Sequence, residues 1–269
     1  MTRDRWAGVA SGWERYADAF RARTMPVSSW MVEAIAPQPG HTVVDLAAGI
    51  GDTGFLAAEL VEPGGTLITS DFAPEMLTAA QRRAEALGLR NVRFKQIDPT
   101  APIDLEAGSI DGVLCRWGYM LMEDPEAAMR ETRRVLRPGG RLALAAWTGA
   151  EENRWSSLPV ALLVERGLID PPEPGPGQFA WAEDGVIAEH LEGAGFVEYE
   201  VDTVEFTMRY ASVREWWETT RAMGQSARRA QIADEEEWLA ALAEAAAGFT
   251  ADDGSLEVPA RTWVAAATG

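Results

Sequence analysis

The chain predicts a doubly wound α/β fold: a mostly parallel seven-stranded sheet, with helices ahead of it and a helical insertion between its last two strands. Short apolar runs alternate with helix-like segments between residues 42 and 147, the rhythm of βαβ units. The first three runs end on acids, Asp45, Asp71 and Asp98, and a glycine-bearing turn, Ala48-Gly49-Ile50-Gly51, follows the first. In an open α/β sheet, ligands bind outside the carboxyl ends of the strands. The acids and the turn are therefore expected on one rim.

Each element has a local reason. Residues 5–36 read as helical because Trp6, Val9, Trp13, Tyr16 and Phe20 recur at three- and four-residue steps. Pro37-Gln38-Pro39-Gly40 stops that pattern. Residues 42–47 read as the first strand and 53–62 as a helix. Gly64-Gly65 turns into a second strand ending at Asp71, and Pro74 suits the first turn of a helix reaching about Leu87. Residues 92–97 and 110–116 read as the third and fourth strands. A helix at about 125–136 leads through Arg137-Pro138-Gly139-Gly140 into a fifth, 141–147.

Beyond Trp147 the rhythm changes. Residues 149–182 carry a stiff loop, Pro171-Pro172-Glu173-Pro174-Gly175-Pro176-Gly177. Residues 183–194 read as a helix, 196–208 as a strand, 212–248 as two helices and 256–266 as a last strand. One domain over 1–269 is expected, with N-terminal helices at 5–36 and a cap formed by the insertions at 149–182 and 212–248.

Composition bounds the partners. A net charge of −18 argues against nucleic-acid backbones. One cysteine, Cys115, excludes an internal disulfide and a multi-cysteine metal site, and two histidines leave little room for histidine chemistry, so no metal is expected. No run approaches the roughly 18 apolar residues of a membrane span, and no apolar leader follows the first residues. A soluble cytoplasmic protein, monomer or homodimer, acting on a small molecule is the expectation.

The rim residues narrow the ligand. Glycines let backbone approach a ligand closely, and an acid after the second strand can grip a ribose diol. Asp45, at the first strand end, repels a pyrophosphate but would pair with an ammonium group. Gly49-Ile50-Gly51-Asp52-Thr53-Gly54 also satisfies GxGxxG, so a nicotinamide dehydrogenase stays open.

Residues 43–54, 69–77 and 135–142 together resemble the class I S-adenosylmethionine (SAM)-dependent methyltransferases, a Rossmann-like family, and in particular its ubiquinone/menaquinone-biosynthesis branch. The likeness covers roughly residues 10–147, with a weaker continuation through 178–197. It implies SAM as cofactor and S-adenosylhomocysteine as product. By the same resemblance, Asp45, Gly49 and Gly51 would back the methionine and ribose, Asp71 would bind the ribose hydroxyls, and Asp98 would reach the adenine amino group. Ala47, Phe72, Met76 and Arg116 are further candidate cofactor contacts. The fourth strand ends in Cys115-Arg116-Trp117-Gly118-Tyr119 rather than Asn/Asp-Pro-Pro-Tyr, which argues against methylation of nucleic-acid or protein amides.

Methyl transfer needs a dedicated base only if the acceptor must lose a proton. Tyr16, Tyr119 and Glu123, near predicted strand ends, are the candidates for base or orienting group. Trp13, Trp117, Trp216 and Trp217 are candidates for an aromatic chamber and lid, since a sulfonium over a ring face gains about 0.5–2 kcal/mol. The acceptor atom stays open. So does a SAM-binding protein of other chemistry, such as a cyclase, because a cofactor motif reports binding and not reaction.

Overall fold

The computed structural model describes residues 3–98, 100–224, 227 and 230–269. Its strands are β1 (Thr42–Asp45), β2 (Thr66–Asp71), β3 (Val92–Gln96), β4 (Ile110–Arg116), β5 (Leu136–Trp147), β6 (Tyr199–Tyr210) and β7 (Leu256–Thr268). They form one sheet ordered β3-β2-β1-β4-β5-β7-β6. β1 to β5 run parallel to one another, and β7 runs antiparallel between β5 and β6. The chain leaves β1 for β2 on one side and later fills the other side with β4. Loops at that point diverge and open a crevice.

The central parallel strands are covered on both faces, so they are rich in apolar residues; Val43, Val44, Val113 and Leu114 are all buried. The covering helices are α4 (Asp52–Leu60), α5 (Pro74–Ala86) and α6 (Pro125–Val135). β5 starts earlier than the sequence predicts, at Leu136. The Arg-Pro-Gly-Gly turn is absorbed as a register shift between Ile110 and Gly112 of β4.

The N-terminal stretch forms three helices: α1 (Arg3–Ala7), α2 (Ala10–Arg15) and α3 (Ala17–Ile35). Gly8 weakens helix continuity after α1, and Tyr16 sits between α2 and α3 with φ −102° and ψ 12°. The breaks let one segment serve two cores. Val9 and Ala10 pack with Ile50, Ala73 and Met76, whereas Phe20, Val27 and Met31 join the sheet core.

After β5 the chain forms α7 (Arg154–Glu165), a helix the sequence reading did not foresee in 149–182, and then α8 (Val186–Gly193). Between β6 and β7 lie α9 (Val213–Met223) and α10 (Glu235–Ala245). Each is capped as its sequence suggests: Ser212 accepts from the Glu215 amide at 3.2 Å, and Asp234 accepts from the Glu236 and Glu237 amides at 3.0 Å each. Trp216, Trp217 and Trp238 form the core of this insertion, the last two with ring centroids 4.9 Å apart. Gly12 lets α2 cross α9 closely, since a Cβ there would lie 2.1 Å from the Ala222 carbonyl oxygen. Among the described residues no helix is long and apolar enough to cross a membrane.

Candidate functional site

At the end of β1, Asp45 is 1 % exposed, and its Oδ2 accepts from the Gly54 amide at 2.9 Å. Gly54 makes that contact possible, because a Cβ on it would lie 2.6 Å from the same oxygen. The turn that follows bends through positive φ at Ala47 (50°), Gly49 (56°) and Gly51 (89°). It is tied to β2: Ala48 donates to the Ser70 carbonyl at 2.8 Å, and Gly49 donates to Asp71 Oδ2 at 3.0 Å. Asp71 Oδ1 accepts from Ala73 at 2.9 Å.

Burial dominates both acids. Loss of water pushes Asp45 up to about 7, against the opposing pull of the Gly54 amide and the Arg116 charge. It pushes Asp71 up to about 6, with the Ala73 and Gly49 amides holding it from rising further.

These groups open onto a cavity of about 2080 Å³. Its lining includes Asp45, Ala47, Gly49, Asp71, Phe72, Met76, Asp98 and Arg116 from the expected cofactor set, so sequence-distant strand ends do converge. Gly51 does not line it. That glycine caps α4, and a Cβ there would strike the Phe55 ring at 2.4 Å, so its place is in turn and packing.

Arg116 borders the cavity, but its guanidinium is engaged behind the wall. It donates to Thr24 Oγ1 at 2.9 Å, Ser28 Oγ at 3.0 Å and Asp52 Oδ2 at 3.3 Å. Asp52, 2 % exposed, takes a second guanidinium at 2.6 Å from Arg83. This hub fastens α3, α4 and α5 around the turn, and sequence reasoning missed it. The one available signal was an acid in the first turn of α4. Burial lowers the pKa of Arg116, opposed by the nearby Asp52 and Asp45 charges.

The far walls are aromatic. Trp117 stacks on Trp147 at 4.2 Å and 15°, and Trp155 lies 5.1 Å from Trp147. Trp117 is held at φ 59°, and its indole donates to Thr262 Oγ1 at 2.9 Å. Phe20 packs edge-on against Trp13 at 5.0 Å and Trp117 at 6.1 Å. All five rings border the cavity.

Besides Gly51, four expected site residues are corrected. Trp216 and Trp217 are 0 % exposed and lie behind the wall, not on it. Their helix instead presents Thr219, Thr220 and Met223. Tyr16 also lies off the cavity, at the α2–α3 junction with the Arg15 guanidinium 5.5 Å from its ring centroid. Tyr119 contributes its ring to the lining, but its hydroxyl is bonded to Thr132 Oγ1 at 2.7 Å, and burial raises its pKa well above the ordinary tyrosine value. A phenol so held does not serve as a base. Glu123 is exposed and lines the mouth.

Comparison with known proteins gives the family and the fold. Residues 37–158 match the family described as a methyltransferase domain. Nocamycin O-methyltransferase of Saccharothrix syringae is 32% identical over 213 residues, covering 74% of this chain and 72% of that protein. A demethylmenaquinone methyltransferase of Thermus thermophilus is 42% identical over 102 residues, 38% of this chain and 45% of that one. Among solved structures, a SAM-dependent methyltransferase from Aquifex aeolicus shares the fold with a TM-score of 0.50 at 20% identity, over 66% of this chain and 83% of that chain.

Proposed function

The chain belongs to the SAM-dependent methyltransferases, and on that premise we propose that it methylates a small, partly apolar or aromatic metabolite by in-line displacement. The observation that carries this reading is one cavity joining acid-lined strand ends to an aromatic chamber. Ligand pockets usually hold about 300–1,000 Å³, so a space of about 2080 Å³ has room for a cofactor and an acceptor together.

The residues present suit SAM. A Cβ on Gly49 would meet nothing within 4 Å, which leaves the wall recessed beside the two acids. The Trp13 indole nitrogen is buried at the wall without a hydrogen-bond partner among the described residues. The Asp71 oxygens accept backbone amides from Gly49 and Ala73, and a carboxylate with about four lone-pair sites keeps acceptor capacity for a ribose hydroxyl. Asp98 is the residue for the adenine amino group, Phe72 and Met76 for the faces of the base, and Asp45 for the ammonium end. When bound, SAM supplies an electrophilic methyl group on sulfur, and S-adenosylhomocysteine remains as product.

The protein's part is to orient the acceptor and exclude water. Orientation of this kind is worth about 7–11 kcal/mol of barrier. Trp13, Trp117, Trp147 and Trp155 form the apolar walls, and the segments 149–182 and 212–248 act as the cap. Glu123 is the remaining candidate for taking a proton from the acceptor. Family membership leaves the GxGxxG match as a feature of the β1–α4 turn, where Gly54 serves contact with Asp45.

Titration calorimetry with SAM, S-adenosylhomocysteine and NAD(H) tests this reading, alongside Asp71→Ala. Micromolar binding of both adenosyl ligands is expected, weakened at least ~100-fold in the variant. Binding of NAD(H) alone would overturn it.

A further inference from the structure

Among the described residues, the cavity is lined by ten acidic residues and two basic ones, Arg116 and Arg154. Arg116 is committed to Asp52, Thr24 and Ser28. Arg154 is half-buried and, among the described residues, makes no ion pair or hydrogen bond. In a chain of net charge −18 that is unexpected, because carboxylates are plentiful. Glu152, two residues before it, is paired elsewhere, its Oε1 accepting from Arg261 Nη1 at 2.8 Å.

The position of Arg154 adds to the imbalance. It is the first residue of α7, where the helix dipole already presents positive charge and disfavours a cation. A half-buried guanidinium with no carboxylate partner among the described residues keeps its donors available to a ligand in the cavity. Next to it, the Trp155 carbonyl accepts from Trp216 Nε1 at 2.7 Å and ties the start of α7 to α9. One turn along α9, Thr219 lines the same cavity; it is 5 % exposed, and its Oγ1 has no hydrogen-bond partner among the described residues. An unpaired cation and an unpaired hydroxyl thus belong to the wall where these two helices are joined.

We infer that the methyl acceptor is an organic oxyanion, a carboxylate or an ionised enol, recognised by Arg154 with Thr219 as a second polar contact and its apolar body against Trp147 and Trp155. This rests on the methyltransferase reading and makes Arg154 a specificity-determining residue within it. The acids near Asp45 and Asp71 suit the cationic end of a cofactor. Arg154 is the uncommitted counter-charge available to an anion at the other end.

The test compares 2-naphthoate with its neutral isostere 2-naphthamide. Both are titrated calorimetrically into the full-length protein saturated with S-adenosylhomocysteine. The wild type should bind the carboxylate ~10-fold tighter or more, Arg154→Met should bring the two within ~2-fold, and Arg154→Lys should keep part of the preference. Added KCl should weaken naphthoate binding and leave naphthamide binding nearly unchanged, a readout on the wild type that needs no variant to fold. Naphthoate that fails to bind, equal affinities in the wild type, or a preference surviving in Arg154→Met would each overturn the inference. Failure of the wild type to bind S-adenosylhomocysteine would instead overturn the function proposed above.

Discussion

On the cofactor side of the cavity, side-chain carboxylates hold backbone amides: Asp45 takes Gly54, and Asp71 takes both Gly49 and Ala73. On the aromatic side, indole rings hold one another: Trp117 on Trp147 and Trp147 beside Trp155, with Trp217 against Trp238 behind them. The first kind of wall is directional and carries acids away from their ordinary pKa values. The second is held by apolar burial, which has little direction. A polar wall suits a ligand presenting the same hydroxyl and ammonium groups at every turnover. An apolar wall accepts shape and leaves chemical discrimination to its few unpaired polar groups.

Three measurements separate the two walls. Trp216→Ala strikes the cap core, and removal of a fully buried indole should cost about 3–5 kcal/mol of stability. Thermal unfolding reads this as a large fall in Tm. Unchanged stability with acceptor turnover alone reduced would return Trp216 to the lid role that its sequence position suggested.

Gly54→Ala strikes the polar wall. The added Cβ must displace the Asp45 carboxylate, and overpacking of this kind costs about 1–3 kcal/mol. The sharper readout is S-adenosylhomocysteine affinity, which should fall far more than in a cap variant of equal stability. If both properties fall in proportion, the two walls are one cooperative unit.

The smallest expected effect is on pH dependence. Asp45 and Asp71 are raised in the folded state, to about 7 and about 6. A raised carboxyl binds more protons folded than unfolded, so its stabilising contribution is complete below the unfolded value of about 4 and is lost as pH rises through the folded one. The ligand-free protein should therefore lose on the order of 1–2 kcal/mol from Asp45 between pH 5.5 and pH 8. Asp45→Asn should flatten that part of the slope in unfolding curves recorded across the range. An unchanged slope would show that Asp45 is ionised throughout.

How much was legible in the chain follows the same division. The strand–turn–helix around Asp45, the end of β2 at Asp71 and the Pro74 start of α5 could be read directly. Their partners are close in sequence, with Asp71 reaching Ala73 two residues on and Asp45 reaching Gly54 nine residues on. Short-range periodicity, an acid and a glycine were sufficient signals. Helix α7 was hidden behind a proline-rich neighbour and its own Pro159. The roles of the tryptophans were hidden for a deeper reason, because residue type shows that a ring will be buried but not which side of a helix meets a cavity.

Sequence alone thus determined the α/β rhythm, the acids at the strand ends and the glycine turn, since each follows from local backbone geometry and burial of a parallel sheet. Tertiary structure decided everything that depends on distant partners. Trp117 meets Thr262 145 positions away, Arg116 reaches Ser28 across 88, and Trp216 reaches the Trp155 carbonyl across 61. Such pairings are set by how whole elements pack, so only the assembled fold turned Trp216 into core, Arg116 into a structural hub and Arg154 into a cavity-lining charge with no partner among the described residues.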